Sequence, residues 1–412
     1  MLFRLTETMV EAVVEELRRP YQGRWSNADG GGKIRELEAA FCAYQDVSHA
    51  LAVSSGTAAL DAAIFAAGIE PGDEVITSPL APSYALTPIL HFHGRPVFVD
   101  IDEVSLNLAP EALEAAITPR TKAILVVHLN GYPADMESIL AIARRHSLRV
   151  IEDCAHAQGA TREGRLCGSF GSDISCFSIQ SVKNLPGGEG GVVVTDSLDY
   201  YERALLCGQH PARLNKELTD PERRRYISTG GLGYNQRMHP VAAVLALAGM
   251  DQLDEWISLR QASAHYLNEA LGALPGLHPT FVPDDIGHAY YFHTVAYDAQ
   301  ALGGLPMQRF CDALCAEGVA SGLLGEAAYN APLFQGAEAF GRGCPLDCPH
   351  AEGTLDNSPR RFPRTERALA TQFCYGFCGF PFEDTNLLDE YIEAFSKVTS
   401  NADQLLAVAL QP

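Results

Sequence analysis

The segment CFSIQSVKNLPGGEGGVVVTD at 176–196 sets Lys183 five residues after Ser178 and just ahead of a glycine-rich turn. The flanking runs SCFSI and GGVVVTD have the apolar, β-branched make-up of buried strands. A lysine lodged beside buried strands is costly as a bare cation, so it is neutralised, paired or used covalently. A desolvated lysine with a neutral amine is the group that attacks an aldehyde to form a Schiff base. Twenty-five residues before Ser178, IEDCAHAQGA at 151–160 carries Asp153 at the end of an apolar run. That is the carboxyl edge of a strand, where open α/β sheets bind ligands. A carboxylate there, facing a pyridine-type ring nitrogen, would keep it protonated and make the ring an electron sink.

A third element is VSSGTA at 53–58, which runs from a strand into an Ala-rich helix. Backbone N–H groups, the helix dipole and the hydroxyls of Ser55 and Thr57 would favour a dianion there. Gly56 permits close approach of the backbone. Each piece alone has an ordinary reading: SSGT as an N-cap, Asp153 as a structural carboxylate, Lys183 as a surface cation. Their order along one chain points instead to a single site.

The elements that must position these residues follow from the apolar pattern. Between about Ser48 and Asp196, the runs HALAV, DEVIT, RPVFVDI, KAILVVHL, RVIEDC, SCFSI and GGVVVTD read as strands. Helical stretches such as PEALEAAI and MESILAIARRHS separate them. The alternation predicts an α/β fold with a mostly parallel, doubly wound sheet. Helices then dominate from Pro240 to Leu274, Pro275-Gly276 breaks the run, and a smaller α+β pattern follows. The expected division is an N-terminal helical arm over 1–25, a large domain over 26–260 and a small C-terminal domain over 261–412. Residues 326–362 are rich in Gly, Pro and Asn and read as a long binding loop.

The chain has 412 residues, 47% of them hydrophobic, and 30 Lys plus Arg against 51 Asp plus Glu, a formal charge of -21. Such an acid surplus argues against nucleic acid as partner. No run of about 18 apolar residues suggests a membrane span. Met1 to Arg19 mixes charged and apolar residues and reads as an amphipathic helix, not a signal peptide. The odd count of 11 cysteines fits free thiols, so a cytoplasmic protein is expected. The pairs Cys311/Cys315, Cys344/Cys348 and Cys374/Cys378 lack the usual spacing of zinc sites, and no metal is expected. The loop sequence Cys344-Pro-Leu-Asp-Cys348-Pro-His350 is the best metal candidate among them. GGEGG precedes a strand and opens no helix, so it is not a dinucleotide-binding fingerprint.

With VSSGTAAL (53–60), RPVFVDID (95–102), AITPRTKAILVVHLNGYPADM (116–136), IEDCAHAQGA, FSIQSVKNLPGGEGG and LGYNQRMHPVAA (232–243), the chain resembles the DegT/StrS-type aminotransferases. These are fold-type-I enzymes that use pyridoxal 5′-phosphate (PLP). The resemblance covers about residues 20–265 and weakens beyond. It implies that Lys183 forms the Schiff base and shuttles a proton, that Asp153 pairs with the pyridinium nitrogen, and that His156 bonds the phenolic oxygen. Ser55, Gly56, Thr57 and Ser178 would hold the phosphate. Asn235 would reach the phosphate of a neighbouring subunit, with Arg237 supporting the crossing segment, so a homodimer with shared sites is implied.

Two departures bear on substrate and stacking. The family commonly sets an aromatic residue over the cofactor in the segment that here reads SPLAPSYAL (78–86). Pro82 takes the aligned place and Tyr84 is the nearest aromatic, so Tyr84 is the expected stacking residue. Gln180, counted with the cofactor-binding set, stands where many nucleotide-sugar members have His. It resembles the branch that acts on cyclitol ketones or makes aminohydroxybenzoate. The resemblance thus implies transfer of an amino group from glutamate or glutamine to a keto sugar or cyclic ketone, in a ping-pong scheme. A PLP-dependent dehydratase or aromatising synthase on the same scaffold and a non-catalytic PLP- or sugar-binding regulator are the rival readings. Substrate contacts are expected from Tyr329–Phe334 and from the turn at His288–His293. Arg165, Arg360, Arg361 and Arg364 are the candidates for binding a carboxylate.

Overall fold

The computed structural model describes residues 5–19, 28–336, 340–344, 346, 350, 353, 355–376 and 385–408. The apolar runs read from the sequence become seven strands of one sheet. Their spatial order is His49–Val53, Gly191–Thr195, Ile174–Ser178, Arg149–Asp153, Thr121–Val127, Glu74–Thr77, Arg95–Phe98. All run parallel except Gly191–Thr195, which is antiparallel to both neighbours. The exception has a local cause. Ser178 pairs directly with Gly191, so the chain doubles back within the glycine-rich stretch, and Lys183 sits in the connection.

The sheet is covered on both faces, which is why its strands read as continuous apolar runs. Leu51, Val75, Leu125 and Ile151 pack on one side, and Ala52, Ile76, Ile124, Val126 and Val150 on the other. Helices on these faces carry ordinary end signals. Asp135 caps Met136–His146 by accepting from Ser138 N, and Arg144, Arg145 and His146 lie in its last turn, where cations suit the helix dipole. The segment read as the helix PEALEAAI is shorter than expected, Pro110–Leu113 followed by a 3-10 turn over Glu114–Ala116.

A second, four-stranded antiparallel sheet has the order Leu277–Pro279, His293–Tyr297, Gln372–Tyr375, Ser321–Leu323. Its core contains Val295, Phe310, Phe373 and Phe395. The 20-residue helix Leu253–Gly272 gives Ile257 to the core of the large sheet and Leu267 and Leu271 to this second core. The division drawn at 260 falls within that continuous helix. A small three-stranded sheet joins Ile286–Gly287 to Thr161–Arg162 and Arg165–Leu166, tying the later segment to the residues that follow Asp153.

Within 326–362 the described residues form no α-helix or strand, only short 3-10 turns, as a loop should, but parts of the stretch enter the core. Tyr329 and Phe334 are buried and pack edge-on against Phe98, with Phe362 beside Tyr329. Arg95, fully buried, donates Nε to Leu346 O at 3.1 Å and Nη2 to Gly353 O at 2.9 Å, fixing this stretch to an edge strand. Cys311 is buried but Cys315, one turn on, is exposed, so that pair does not share a packed face. Cys344 Sγ lies 3.4 Å from His93 Nδ1, while Cys348 and Cys378 lie outside the described residues.

A buried ion pair stabilises the N-terminal side of the large sheet. Arg213 Nη2 lies 2.8 Å from Glu38 Oε1, both side chains almost fully buried. Glu38 also accepts from Ala52 N at 2.8 Å. Burial pushes the Glu38 carboxyl up, and the Arg213 charge opposes that. Arg213→Met leaves Glu38 only the exposed Arg35, 3.6 Å away, and is expected to cost about 3–5 kcal/mol. The double replacement Glu38→Leu/Arg213→Met recovers much of it. Chemical denaturation followed by tryptophan fluorescence checks both.

Candidate active site

At the carboxyl edge of the parallel strands lies a cavity of about 340 Å³. It brings together Ser55, Gly56, Thr57, Tyr84, Asp153, Ser178, Gln180 and Lys183. His156 lines an adjoining cavity of about 330 Å³, which shares Tyr84 and Tyr291 with the first. Asn235 lines neither. It is exposed, with Oδ1 accepting from Arg237 Nε at 2.7 Å.

One end of the first cavity is the N-terminus of the helix Gly56–Ala66. Ser55 caps it, accepting from Ala58 N at 3.0 Å. A Cβ on Gly56 would stand 2.6 Å from Ser178 Cβ, and one on Gly191 2.3 Å from Ser55 O. Both positions therefore need glycine, and both bring the Ser178 strand end against the helix N-terminus. The uncommitted N–H groups of a first helical turn and the helix dipole make an anion site.

Asp153 ends its strand with one oxygen accepting from Ala155 N at 3.0 Å. Burial pushes its carboxyl up, while that N–H and the Lys183 charge pull it back. Lys183 is 7% exposed. Its backbone N–H donates to Gln180 O at 2.9 Å, and Gln180 Oε1 accepts from Val182 N at 3.0 Å. These bonds make a tight turn that aims the amine inward. Lys183 Nζ lies 3.4 Å from Tyr291 Oη and 4.4 Å from the centre of its ring.

His156 stacks on the same tyrosine, with ring centres 3.9 Å apart and planes 10° from parallel. Burial holds its imidazole well below the usual range, and the Lys183 charge adds to the effect. Its Nδ1 is buried with no hydrogen-bond partner. Among the described residues it is one of several such buried atoms, and the one whose side chain lines either cavity, where a ligand atom could pair with it.

Of the two segments expected to meet substrate, the turn at His288–His293 lines the adjoining cavity, through Tyr291 and Phe292. In Tyr329–Phe334, Tyr329 and Phe334 belong to the core and line neither cavity. The four candidate arginines also lie elsewhere. Arg165 donates to Ser169 O and faces Phe170; Arg360 pairs with Asp356; Arg361 donates to Asp356 O; Arg364 pairs with Glu111. Among the described residues lining the two cavities, Lys183 is the one Lys or Arg. Tyr291 was not singled out from the sequence. The aromatic run HAYYFH just ahead of a strand was its only local signal.

Behind Asp153 sits a second polar cluster of His128, Glu152 and Cys154. His128 Nδ1 accepts from Ala134 N at 3.0 Å, so its Nε2 proton goes to Glu152 Oε2 at 2.9 Å. Glu152 Oε2 also accepts from Gly168 N at 2.9 Å. Burial raises the Cys154 thiol well above its ordinary range, so it stays protonated and is a poor metal ligand. The cluster is a satisfied internal network.

The buried imidazoles have a consequence for stability. Burial lowers His288 and His293 to about 3, and His156 is lowered too. A group with a depressed folded pKa binds its proton in the unfolded chain first, so these histidines favour unfolding as pH falls below about 6.5. Each contributes about 1.4 kcal/mol per pH unit once the unfolded histidine is protonated. His293→Phe is expected to flatten the stability–pH slope between pH 6 and 4 by that amount. Denaturation midpoints across this range measure it.

The chain matches the model of the DegT/DnrJ/EryC1/StrS aminotransferase family over residues 7–357. It is 38% identical over 297 residues to the spore coat polysaccharide biosynthesis protein SpsC of Bacillus subtilis, covering 70% of this chain and 74% of that one. It is also 38% identical over 304 residues to the L-glutamine:2-deoxy-scyllo-inosose aminotransferase of Streptoalloteichus tenebrarius, covering 72% and 70%. Its structure superimposes on that of 3-amino-5-hydroxybenzoic acid synthase with a TM-score of 0.81 and 27% identity, over 97% of this chain and 98% of that one. The matched stretch takes in both the strand end carrying Asp153 and the reversal carrying Lys183, and the chain belongs to the DegT/DnrJ/EryC1/StrS aminotransferase family.

Proposed function

We propose that this chain is a PLP-dependent aminotransferase that takes nitrogen from L-glutamine or L-glutamate and delivers it to a cyclic polyhydroxy ketone. The observation that carries the reading is the convergence of Lys183, Asp153, Ser178 and the Gly56–Thr57 helix N-terminus on one cavity. Family membership supports it, as does the fit of the residues to the cofactor. The orphaned Nδ1 of His156 suits a ring substituent, the glycine-lined helix end suits a phosphate, and the buried Asp153 suits a protonated ring nitrogen. Bound there, PLP would supply an aldehyde that takes up the amino nitrogen and a ring that withdraws electrons from the adjacent C–H bond.

The chain's own residues have separable tasks. Ser55, Gly56, Thr57 and Ser178 bind the phosphate and set the ring's depth. Asp153 holds a proton at the ring nitrogen by charge, and its burial strengthens that interaction. Lys183 Nζ takes a proton from the substrate carbon and returns it to the neighbouring carbon. Tyr84, at the mouth of both cavities, closes the open side. Asn235, exposed on a segment pinned to the sheet by Ser54 N to Gln236 O at 3.0 Å, is offered to a second copy in a homodimer.

For the acceptor, two observations favour a cyclitol-type ketone over a nucleotide sugar. The inosose aminotransferase is among the relatives, and Gln180 lines the site. The adjoining cavity is lined by Leu80, Leu129, Asn130, Phe292, Leu324 and Glu326 among others, with no Lys or Arg among the described residues. A diphosphate would call for cations there. The likeness to 3-amino-5-hydroxybenzoic acid synthase keeps an aromatising reaction as the second reading.

The test is the visible spectrum of purified protein with PLP. Wild type is expected to show a band above 400 nm that fades with L-glutamine or L-glutamate and returns with an inosose, leaving stoichiometric oxo acid. Lys183→Ala should lose the band and lower turnover by about 10²–10⁴-fold or more. A band that survives Lys183→Ala unchanged would overturn the lysine's role. Release of water or ammonia without oxo acid would transfer support to the second reading.

A further inference from the structure

We propose that Tyr291 is a positioning residue that holds the Lys183 amine and the His156 ring in register, with Arg260 clamping both from behind. The inference deepens the function proposed above and rests on it. Tyr291 touches each partner by a different part of its side chain. Its hydroxyl accepts from Lys183 Nζ at 3.4 Å, and its ring face lies 4.4 Å from the same nitrogen. A cation over an aromatic face is stabilised, more so when desolvated. The ring also lies flat on His156 at 3.9 Å. Since His156 Nδ1 has no hydrogen-bond partner, stacking supplies the orientation that a bond at that nitrogen would otherwise give.

The main chain is bent to deliver this ring. Tyr290 has φ +44, a strained value for a residue with a Cβ. Its own ring is held away from the cavity between His288 and His293, at 4.0 and 5.0 Å. Tyr291 N donates to Asn130 O and Ala289 N to Gly131 O, both at 2.9 Å. A Cβ on Gly131 would stand 2.9 Å from His156 O and 3.2 Å from Tyr290 N. That glycine therefore lets three segments close on each other.

Arg260, on the long helix, locks the arrangement. Its Nη1 donates to Asn184 Oδ1 at 3.0 Å and to Tyr290 O at 3.5 Å. Asn184 Nδ2 in turn donates to His156 O at 3.4 Å. Asn184 follows Lys183 and Tyr290 precedes Tyr291, so one buried guanidinium and one buried amide connect the backbones of all three side chains. Displacing either would move the amine relative to the imidazole.

The experiment follows the pH dependence of Lys183 acetylation by limiting acetic anhydride in the cofactor-free protein, read by peptide mass spectrometry. The visible band of the PLP-loaded protein is titrated in parallel. Tyr291→Phe removes only the hydroxyl and Tyr291→Leu removes the ring as well. Both strip support from the ammonium form, so the acetylation midpoint moves to lower pH, by about half a unit for Tyr291→Phe and about one unit for Tyr291→Leu. Asn184→Leu, which breaks the link to Arg260 and to His156 O without altering any charge, shifts it in the same sense. The proposal is overturned if both Tyr291 variants acetylate with the wild-type midpoint, or if Asn184→Leu lowers thermal stability while leaving that midpoint in place. A wild-type protein that never acquires the visible band defeats the proposed function, yet the acetylation profile still reads the role of Tyr291.

Discussion

The site depends on a close approach that only missing side chains permit. At Gly56 a Cβ would collide with Ser178, and at Gly191 with the Ser55 carbonyl. These two contacts press the N-terminus of the helix Gly56–Ala66 against the point where the chain reverses between Ser178 and Gly191. The helix dipole is thereby aimed into a cleft whose other wall is the strand end carrying Asp153. If either glycine carried a side chain, the helix would retreat and the cavity would lose its anion-binding end. The antiparallel strand Gly191–Thr195, the one departure from a parallel sheet, is the other half of the same constraint. It returns the chain immediately, so that Lys183 is presented on a short connection and not on a long crossover.

Charge in this region is arranged by burial more than by pairing. The chain is strongly acidic, yet the two cavities hold one cation among the described residues. Opposed to it is Asp153, whose carboxyl burial pushes up. Around them, His156, His288 and His293 are kept neutral by desolvation. A neutral imidazole beside Lys183 adds no repulsion to the amine, whereas an imidazolium at His156 would. Keeping His156 dry thus spares the Lys183 amine a second positive charge at close range.

What was legible in the sequence was what short stretches encode. Strands buried on both faces read as apolar runs, and all seven were visible for that reason. Gly56, Asp153, Ser178 and Lys183 were visible because each sits at a strand end or turn whose local sequence is distinctive. Long-range features were not. Tyr291, Arg260 and Asn184 come from three segments far apart in sequence, and the aromatic run around Tyr291 says nothing of the other two. The stretch 326–362 has the irregular backbone expected, and only the burial of Tyr329 and Phe334 was hidden, for a related reason. Its Gly and Pro content reports an irregular backbone, but irregular backbone is compatible with burial, and Tyr329 and Phe334 use it to enter the core beside Phe98. The four arginines expected to bind a carboxylate carry no local signature for that task, and each is satisfied elsewhere.

The helix Leu253–Gly272 connects these observations. Ile257 packs into the core of the large sheet and Leu267 and Leu271 into that of the second sheet. Arg260 stands between them, with its guanidinium on Asn184 and Tyr290. A rigid helix shared by two cores transmits displacement, since packed interiors deform little. Any shift of the second sheet relative to the first would pull on Arg260 and hence on the peptide units beside Lys183 and Tyr291. The lysine's geometry is therefore set from both sides: by the glycine contacts at the helix end, which are local, and by a guanidinium anchored in the joint between two cores, which is not.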